Sequence, residues 1–326
     1  MKKFRAKAHS NIALIKYWGK ENEEFIIPKN SSLSLTLDAL YTETEVSFIE
    51  DENDGDIFYL DGELQDEGQH KKLSKYIDIF RKLSGVKKSV LVNSYNHVPT
   101  AAGLASSASG FAALAMALNK LFNLNYSNEE ITKLARRGSG SASRSIFGGF
   151  VEWVKGDKHE NSYARKIDDA QWDIAMIILV LKNEKKEISS RVAMKQTIET
   201  SPLYNAHVES CEKDLENIKQ AIKNRDFITL GKIAEHNAMK MHATMLSSNP
   251  PIIYFKEDSI RVIENVKSMR AKGHEIYYTM DAGPNVKILC RKSEIQCIVE
   301  ELKKEFDESK IIISDIGGDA TVKEIE

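Results

Sequence analysis

Cysteine is scarce in this chain, and its scarcity excludes two kinds of architecture. The 326 residues include only three cysteines, Cys211, Cys290 and Cys297. Three irregularly spaced thiols are too few for a disulfide framework or a cysteine-ligated zinc site, and none of the eight histidines lies in a His-x-x-x-His pattern. Because such thiol usage is typical of a reducing compartment, we expect a cytoplasmic protein.

Long apolar runs and an excess of one charge are also missing. The most apolar stretch, IAMIILVL at residues 174–181, has the length of a buried strand, whereas a membrane span needs ~20 residues. The basic start, MKKFRAKAHSN, is not followed by a long apolar segment, so neither a signal peptide nor a membrane span is predicted. With 29% charged residues and a formal net charge of −2, the composition is globular and disfavours a binder of nucleic acid or membrane surfaces.

The order of patterns along the chain predicts an α+β fold in two layers. Strand patterns dominate the first half, where SLSLTLDAL at residues 32–40 alternates most clearly and Asp61-Gly62 predicts a hairpin turn. Helical patterns dominate the second half. This change predicts a boundary near residues 180–188, which divides the chain into residues 1–182 and 183–326.

Helix signals are clear at several places. Residues 67–83 have helical spacing that ends near Gly85, and Ser127 or Asn128 is expected to cap a helix that ends at Gly138. Further helices are predicted at residues 189–200, 203–224, 227–246, 258–271 and 293–306.

The stretch PTAAGLASSASGFAALAMAL, residues 99–118, carries the strongest chemical signal. A loop of small residues follows a strand pattern and leads directly into a helix. Such a helix N-terminus binds anions well, because its backbone N–H groups and its dipole face the ligand, so a phosphate chain is the expected ligand. The loop is not a Walker A motif, since no Lys-Ser/Thr pair closes it. The alternative is a helix of small residues packed tightly in a core.

Two further segments carry cations beside polar or aromatic groups. NIALIKYWGK, residues 11–20, could line an anionic pocket, or form a buried strand edge with snorkelling lysines. GSGSASRSIFGGF, residues 138–150, places Arg144 among hydroxyls, where its guanidinium could grip a phosphate or carboxylate; the alternative is an ordinary glycine-rich turn.

Two loops complete the candidate set. YTMDAGPNV places Asp281 at a strand end before a tight turn, as a candidate base or orienting group, or as a residue that caps its own turn. KNEKKEISSR, residues 182–191, concentrates basic residues and two serines; a solvated charged loop is the default interpretation.

Together, the segments PTAAGLASSASG, NIALIKYWGK, GSGSASRSIFGGF and DAGPN resemble the diphosphomevalonate decarboxylases, in the expected order from Ala8 to about Val286. That family belongs to a wider group that includes galactokinase, homoserine kinase, mevalonate kinase and phosphomevalonate kinase. Many of these kinases carry a catalytic Asp after the second Gly/Ser loop, where this chain offers Arg144 instead. An Arg in place of an acid suits a substrate that bears a carboxylate.

The resemblance implies a two-layer fold, an activity and its ligands. Its N-terminal half would resemble a ribosomal-protein domain with a left-handed βαβ unit, and its C-terminal half would be ferredoxin-like with extra helices. The active site would lie in the cleft between an ATP-binding domain, residues 1–182, and a second domain, residues 183–326. The implied reaction is the ATP- and Mg²⁺-dependent decarboxylation of mevalonate 5-diphosphate to isopentenyl diphosphate, by a homodimer that binds neither nucleic acid nor membrane.

The same resemblance assigns roles to individual residues. Catalytic roles fall on Asp281, Arg144, Asn11 and Ser107. Substrate binding falls on Tyr17, Trp18, Gly19, Lys20, Lys71, Gly140, Ser141, Ala142, Ser143, Arg144, Ser145, Ser190 and Arg191, although family members often have Arg at the position of Lys71. Nucleotide binding falls on Asn93, Ser94, Asn96, Gly103, Leu104, Ala105, Ser106, Ser107, Ala108, Ser109, Lys185 and Lys186, with Ser106 and Ser107 nearest the metal.

Two other interpretations remain at this stage. One is a related kinase that stops at a stable phosphoester, or a decarboxylase that acts on the monophosphate. The other is a non-catalytic binding module, because the phosphate-loop half resembles a fold also used by proteins that contact RNA. The net charge and the lack of a basic aromatic stripe count against this module.

Overall fold

The structure is a computed structural model that describes residues 2–50, 55–97, 106–181 and 188–326, with Ser106 described by its backbone alone. The strands are β1 (Lys3–Ile15), β2 (Lys20–Asn22), β3 (Ile27–Pro28), β4 (Ser32–Phe48), β5 (Ile57–Leu60), β6 (Glu63–Leu64), β7 (Val90–His97), β8 (Phe150–Trp153), β9 (Ala164–Asp168), β10 (Ala175–Leu179), β11 (Ile276–Met280), β12 (Val286–Cys290), β13 (Ile311–Ser314) and β14 (Thr321–Ile325). The helices are α1 (Glu67–Ser84), α2 (Ser106–Leu121), α3 (Asn128–Gly138), α4 (Ser190–Thr200), α5 (Tyr204–Lys223), α6 (Phe227–Leu246), α7 (Glu257–Ala271) and α8 (Ile295–Leu302).

The first sheet is built on two long neighbours, β1 and β4. Its strand order is β14-β1-β4-β7-β5-β6, and β8 and β9 extend it from the start of β4. Strands β5 and β7 pair in parallel with α1 between them in the chain, which forms a βαβ unit. The left-handed sense expected for this unit stays a prediction.

The second sheet has the order β11-β12-β10-β13, and every neighbouring pair is antiparallel. Numbered along the chain, its strands follow the order 2-3-1-4, which is the ferredoxin-like arrangement. Helices α4, α5, α6 and α7 all lie between its first and second strands in the chain. The predicted α+β fold, with a ferredoxin-like C-terminal half and extra helices, is confirmed.

The alternation in β4 separates two buried environments instead of core from solvent. Leu33, Leu35 and Leu37 are fully buried in an apolar cluster with residues of α5 and α6. The intervening Ser32 and Thr36 are equally buried on the other face, where their hydroxyls make hydrogen bonds. One strand therefore supplies core contacts on one side and a polar interior on the other.

Sheet pairing crosses the predicted boundary in both directions. Strand β10 pairs with β12 and β13, and β14 pairs with β1. The same apolar cluster joins Ile12 of β1 to Met176 of β10 and Leu230 of α6. Both sheets therefore contribute side chains to this apolar cluster. The division at residues 182 and 183 stays a prediction.

Most local signals are confirmed. Asp61 and Gly62 both have positive φ, 52° and 85°, as the predicted hairpin turn requires. Gly85 ends α1 in the left-handed region at φ 76°. The alternative caps of α3 are settled in favour of Ser127, which forms a capping box with Glu130.

Other local predictions are corrected by the structure. The helix expected at residues 293–306 begins after a short 3₁₀ turn and ends at Leu302. The expected loop at residues 138–150 contains a buried 3₁₀ turn, Gly140–Ile146. Strands β2, β3, β9 and β14 were not predicted. None of the helices in the described ranges combines the length and apolar character that crossing a bilayer requires.

Candidate active site

A carboxylate held between two lysines marks the junction of the two sheets. Asp281 follows β11 directly, and the turn after it is closed by a hydrogen bond from Gly283 N–H to the Asp281 carbonyl at 2.8 Å. Its Oδ1 lies 2.9 Å from Lys16 Nζ at the end of β1, and its Oδ2 lies 3.1 Å from Lys287 Nζ in β12. The two lysine side chains are only 2% and 5% exposed, whereas that of Asp281 is 38% exposed. The carboxylate is thus held by two buried lysines and remains partly exposed to solvent.

The electrostatics of this group keep Asp281 ionised. Burial alone would raise the pKa of its carboxyl group, but Lys16 and Lys287 together hold that pKa well below its usual range. Burial lowers the pKa of Lys16, and the attraction of Asp281 works against that change. At neutral pH, Asp281 can therefore accept hydrogen bonds and stabilise positive charge, but it is a weak proton acceptor.

A second polar group joins Asn11 of β1 to the 3₁₀ turn. Arg144 donates through Nε to Asn11 Oδ1 at 3.2 Å and through Nη1 to Ser32 Oγ at 2.7 Å. Asn11 in turn donates to Ser145 Oγ at 2.8 Å and to the Ser141 carbonyl at 3.0 Å. The structure therefore brings together Asn11, Arg144 and the 3₁₀ turn.

Arg144 is a buried cation without a described counter-ion. It is 2% exposed, and no carboxylate of the described residues lies within ion-pairing distance of it. Burial lowers its pKa to about 10, and the attraction of Asp281 and Tyr17 works in the opposite direction. Because a buried charge is costly without an anion, this guanidinium is suited to receive one from a ligand.

The segment from Tyr17 to Lys20 crosses from the first sheet to the helices of the second. Tyr17 packs on Trp153 with ring centroids 4.8 Å apart, and Trp18 is 2% exposed in a cluster with Tyr204 and Met241. Lys20 makes an ion pair with Glu23 at 2.5 Å. The Trp18 indole N–H is buried and has no hydrogen-bond partner in the part of the chain that is described.

Gly19 has a backbone that other residues rarely adopt. Its φ is 125°, and a Cβ at this position would overlap the hydroxyl of Tyr204. That hydroxyl donates to the Trp18 carbonyl at 2.8 Å. The glycine therefore allows α5 to anchor the segment.

Three neighbouring hydroxyl groups connect the first turn of α2 to the segment that begins the 3₁₀ turn. Ser107 Oγ at the start of α2 lies 3.4 Å from Ser139 Oγ, which lies 3.5 Å from Ser141 Oγ. Gly140 packs so closely on the Tyr17 ring that a Cβ would collide with it. Ala142, Ser143 and Ser145 are fully buried, so the turn is rigidly packed beside Arg144.

A cavity of about 260 Å³ lies beside the start of α2. Ser94 and Asn96 of β7 line it together with Ser107. Asn93 alternates to the other face of β7 and is not among the lining residues. The cavity also has apolar walls, formed by Phe58, Leu60, Leu73, Val92, Phe111 and Leu114. Its size and mixed lining suit a nucleotide base or ribose.

Some predicted residues lie beside this cavity without facing it. Lys72 lines the cavity, whereas its neighbour Lys71 is exposed and is not among the lining residues. Ala108 and Ser109 are fully buried, and Ser109 Oγ bonds to Thr42 Oγ1 at 2.8 Å. Ser109 therefore connects α2 to the first sheet.

The start of α4 contributes the remaining described candidates. Ser189 caps the helix, and Ser190 and Arg191 form its first turn. Burial lowers the pKa of Lys72, and repulsion from Arg191 lowers it further. Attraction from Arg191 also opposes the rise in the pKa of Tyr17 that burial causes. Arg191 is therefore within electrostatic reach of Lys72 on α1 and of Tyr17. Gly103, Leu104, Ala105, Lys185, Lys186 and the side chain of Ser106 lie outside the described residues.

Three residues at the centre of the site were not identified from the sequence. Lys16 and Lys287 each stand alone in an apolar strand pattern, and a lone lysine in such a pattern is the signal that could have found them. The third is His242, 2% exposed on α6, whose Nε2 has no hydrogen-bond partner among the described residues. Burial, followed by repulsion from Lys16, lowers the pKa of His242 to about 4 and keeps the ring neutral.

The described residues also indicate how the site could hold a magnesium ion. No cluster of three His, Cys, Asp or Glu side chains suited to a metal occurs in the described ranges. Mg²⁺ usually takes only one or two protein ligands and completes its shell with phosphate oxygens and water. The exposed Ser107 hydroxyl at a helix N-terminus fits that pattern, because the nucleotide would supply most of the charge.

Comparisons with known proteins agree with this geometry. Residues 8–164 match the family model for a diphosphomevalonate decarboxylase-like N-terminal domain, and residues 176–324 match that for a mevalonate 5-diphosphate decarboxylase C-terminal domain. The diphosphomevalonate decarboxylase of Ganoderma lucidum is 37% identical over 329 residues, which cover 94% of this chain and 82% of that protein.

Solved structures match over nearly the whole chain. Mevalonate diphosphate decarboxylase from Staphylococcus aureus is 46% identical with a TM-score of 0.95, covering 100% of this chain and 98% of that one. A structure described as MDDEF in complex with MVAPP, AMPPCP and magnesium is also 46% identical, with a TM-score of 0.95 and 99% of each chain covered. On these matches, the chain belongs to the diphosphomevalonate decarboxylase family.

Proposed function

We propose that this chain catalyses the ATP-dependent decarboxylation of (R)-mevalonate 5-diphosphate to isopentenyl diphosphate, with ADP, phosphate and carbon dioxide as the other products, in the mevalonate pathway of isoprenoid synthesis. The observation that carries the proposal is the placement of two opposite charges, Asp281 and Arg144, in one site. Asp281 is ionised between two lysines, and Arg144 lies within its electrostatic reach without a described carboxylate partner. Family membership supports the same reaction.

The substrate carries two anionic ends and a hydroxyl between them, and the cleft offers a partner for each. Arg144, oriented by Asn11 and Ser32, binds the carboxylate. The diphosphate lies against the Tyr17–Lys20 segment and the Gly140–Ser145 turn, with Lys71, Ser190 and Arg191 at its edge. Lys20 exchanges its ion pair with Glu23 for a phosphate when the substrate binds.

ATP enters from the side of α2. Its phosphates lie at the helix N-terminus, where the loop of Gly103, Leu104, Ala105 and Ser106 supplies backbone donors and Lys185 and Lys186 supply charge. Ser94 and Asn96, which line the cavity, lie along the nucleoside, whereas Asn93 is on the other face of β7. Ser107, with Ser106, would hold Mg²⁺, which offsets the negative charge of the transferring phosphoryl group when it is bound. The complex of a related structure with MVAPP, AMPPCP and magnesium supports the use of ATP and Mg²⁺.

The reaction has two bond-changing stages. First, the 3-hydroxyl oxygen forms a bond to the γ-phosphorus of ATP, the bond from that phosphorus to ADP breaks, and the hydroxyl proton is released. Next, the C3–O bond to the new phosphate breaks with its electron pair. The bond between C2 and the carboxylate carbon supplies the electrons for the new double bond, and carbon dioxide leaves. Phosphorylation is needed because hydroxide is a poor leaving group and the carboxylate has no adjacent carbonyl group.

In this mechanism Asp281 orients the hydroxyl. Its carboxylate accepts the hydroxyl hydrogen bond and directs the oxygen towards phosphorus, and its lowered pKa makes it a poor base. A strong base is not required, because phosphoryl transfer passes through a loose transition state in which the attacking oxygen contributes little bonding.

Product stoichiometry tests the proposal. The chain incubated with ATP, Mg²⁺ and mevalonate 5-diphosphate is expected to release ADP, phosphate and carbon dioxide in equal amounts. ADP with a stable phosphorylated acid and no gas would identify a kinase instead. Equal rates with mevalonate 5-phosphate would shift the proposal to the monophosphate.

Assembly and location are separate parts of the proposal. The chain functions as a homodimer, as the family resemblance implies, and in the cytoplasm, as its low cysteine content indicates. Sedimentation velocity and fractionation of the source cells test these two points independently of activity.

A further inference from the structure

Lys287 occupies a position where the fold favours an apolar residue. It is the second residue of β12, a central strand, with Thr279 of β11 and Ile178 of β10 directly opposite in the two ladders. The adjacent residues Val286 and Ile288 belong to an apolar core on the other face of the sheet. Lys287 is only 4% exposed. A lysine buried in a central strand reduces the free energy of unfolding unless its charge is paired with a buried anion or hydrogen-bonded.

The contacts of Lys287 show how its charge is used. Its Nζ lies 3.1 Å from Asp281 Oδ2, and it donates to the Asn285 carbonyl at 3.3 Å within the same turn. The other carboxylate oxygen is held by Lys16, which also donates to the Ala13 carbonyl at 2.7 Å. Each oxygen of Asp281 therefore has its own cation, one from each sheet.

Two separate cations fix the rotation of the Asp281 carboxylate group, which a single cation would leave free. A carboxylate can turn about its last side-chain bond, which has a broad torsional preference. Lys16 alone would hold one oxygen and allow the other to swing. With Lys287 on the second oxygen, the carboxylate plane is set relative to the turn at residues 281–285 and to the substrate cleft.

We propose that Lys287 is a positioning residue for the decarboxylase reaction, which acts by holding the Asp281 carboxylate in the orientation that directs the substrate hydroxyl. The inference rests on the proposed function. It assigns Lys287 no contact with substrate. Loss of Lys287 is therefore expected to lower kcat while the KM values for both substrates change little.

Lys287→Met tests the proposal, since methionine has similar length and no charge. We expect kcat to fall by about 10- to 100-fold, because small misplacements of a reacting group have effects of this size. We expect KM to change by less than about threefold, because Arg144 and α2 are untouched. Lys287→Arg keeps a cation and is expected to recover part of kcat.

Lys219→Met is the matched control. Lys219 is also a partly buried lysine with an acidic partner, Glu152 at 3.2 Å, and it does not contact Asp281. Its replacement removes one charge and one ion pair and is expected to leave kcat unchanged. A similar loss of kcat in both variants would reduce Lys287 to a general electrostatic or structural role.

A double-mutant cycle separates positioning from structural damage. If Lys287 acts through Asp281, adding Lys287→Met to Asp281→Asn lowers kcat no further. Independent losses that multiply would overturn the proposal, as would full kcat in Lys287→Met. Lys287→Gln replaces the methionine variant throughout if that variant does not fold.

The wild-type assay keeps the two proposals distinguishable. If wild-type chain releases no carbon dioxide, the proposed function fails whatever Lys287 does. If wild-type chain is active and the cycle is additive, only the role of Lys287 fails.

Discussion

At the scale of single residues, the site contains three charged groups in different environments. Asp281 is anionic because two lysines surround it, and Arg144 is a cation whose hydrogen bonds go to neutral side chains. Lys20 is a cation already paired with an exposed carboxylate. Under the proposed function these groups respond differently to a substrate with two anionic ends: the first orients, the second binds and the third exchanges partners.

Arg144→Lys is expected to damage the enzyme although the charge is kept. Arg144 reaches Asn11 and Ser32 through two different nitrogens, and a single ammonium group cannot span both and also bind a carboxylate through two parallel hydrogen bonds. We expect kcat/KM for mevalonate 5-diphosphate to fall by about tenfold or more.

The control for that variant is Arg165→Lys. Arg165 bonds to Glu152 at the edge of the first sheet, and its side chain is 49% exposed. Steady-state kinetics are expected to show wild-type values for this control. Wild-type kinetics in Arg144→Lys would mean that Arg144 supplies only a positive field.

At the scale of elements, the sequence predicted what depends on local pattern. The helix from residue 67, its Gly85 end and the Asp61-Gly62 hairpin follow from backbone preferences, and the structure confirms each of them. The family resemblance assigned Asn11 and Arg144 to one site, but their hydrogen bond was not predicted, because 133 residues separate them in the chain.

The sequence could not predict elements whose stability comes from distant partners. Strand β14 has an exposed, charged sequence and exists because β1 pairs with it. Lys16 and Lys287 escaped notice because their significance depends on a carboxylate brought between them by folding. Helix α8 ends at Leu302, before the helical pattern does, and the chain continues in hydrogen-bonded turns in which Phe306 N–H donates to the Leu302 carbonyl at 2.9 Å.

Gly19→Ala tests the segment that links the two sheets. Alanine at φ 125° is strained by about 1–2 kcal/mol, and its Cβ would also overlap the Tyr204 hydroxyl. We expect a loss of thermal stability larger than that of Gly273→Ala, where φ is 102° and nothing lies within 4 Å.

Calorimetry on these two variants isolates the contact with α5, because both carry the backbone strain and only one carries the overlap. Equal shifts in Tm would contradict the tight anchoring of the segment by Tyr204.

At the scale of the whole molecule, two buried histidines make stability depend on pH. Burial lowers the pKa of both His207 and His242 from 6.5 to about 4. Between those values the unfolded chain binds protons that the folded chain does not, so stability is complete above pH 6.5 and falls as the pH decreases towards 4. Each histidine is expected to remove about 2 kcal/mol of unfolding free energy at pH 5.

Urea unfolding at pH 7.5 and pH 5 measures this dependence. His207→Gln is expected to reduce the difference between the two pH values, whereas His236→Gln, at an exposed position on α6, leaves it unchanged. A difference that survives in His207→Gln would assign the acid sensitivity to other groups.

The pairing of β1 with β14 has a consequence for how the molecule is made. Lys3 pairs with Ile325, so the outer edge of β1 has no strand beside it until more than 300 further residues have been synthesised. Strand β10 similarly waits for β12 and β13. Synthesis therefore cannot finish the first sheet before beginning the second, and a nascent chain carries an open strand edge that can pair with neighbouring chains.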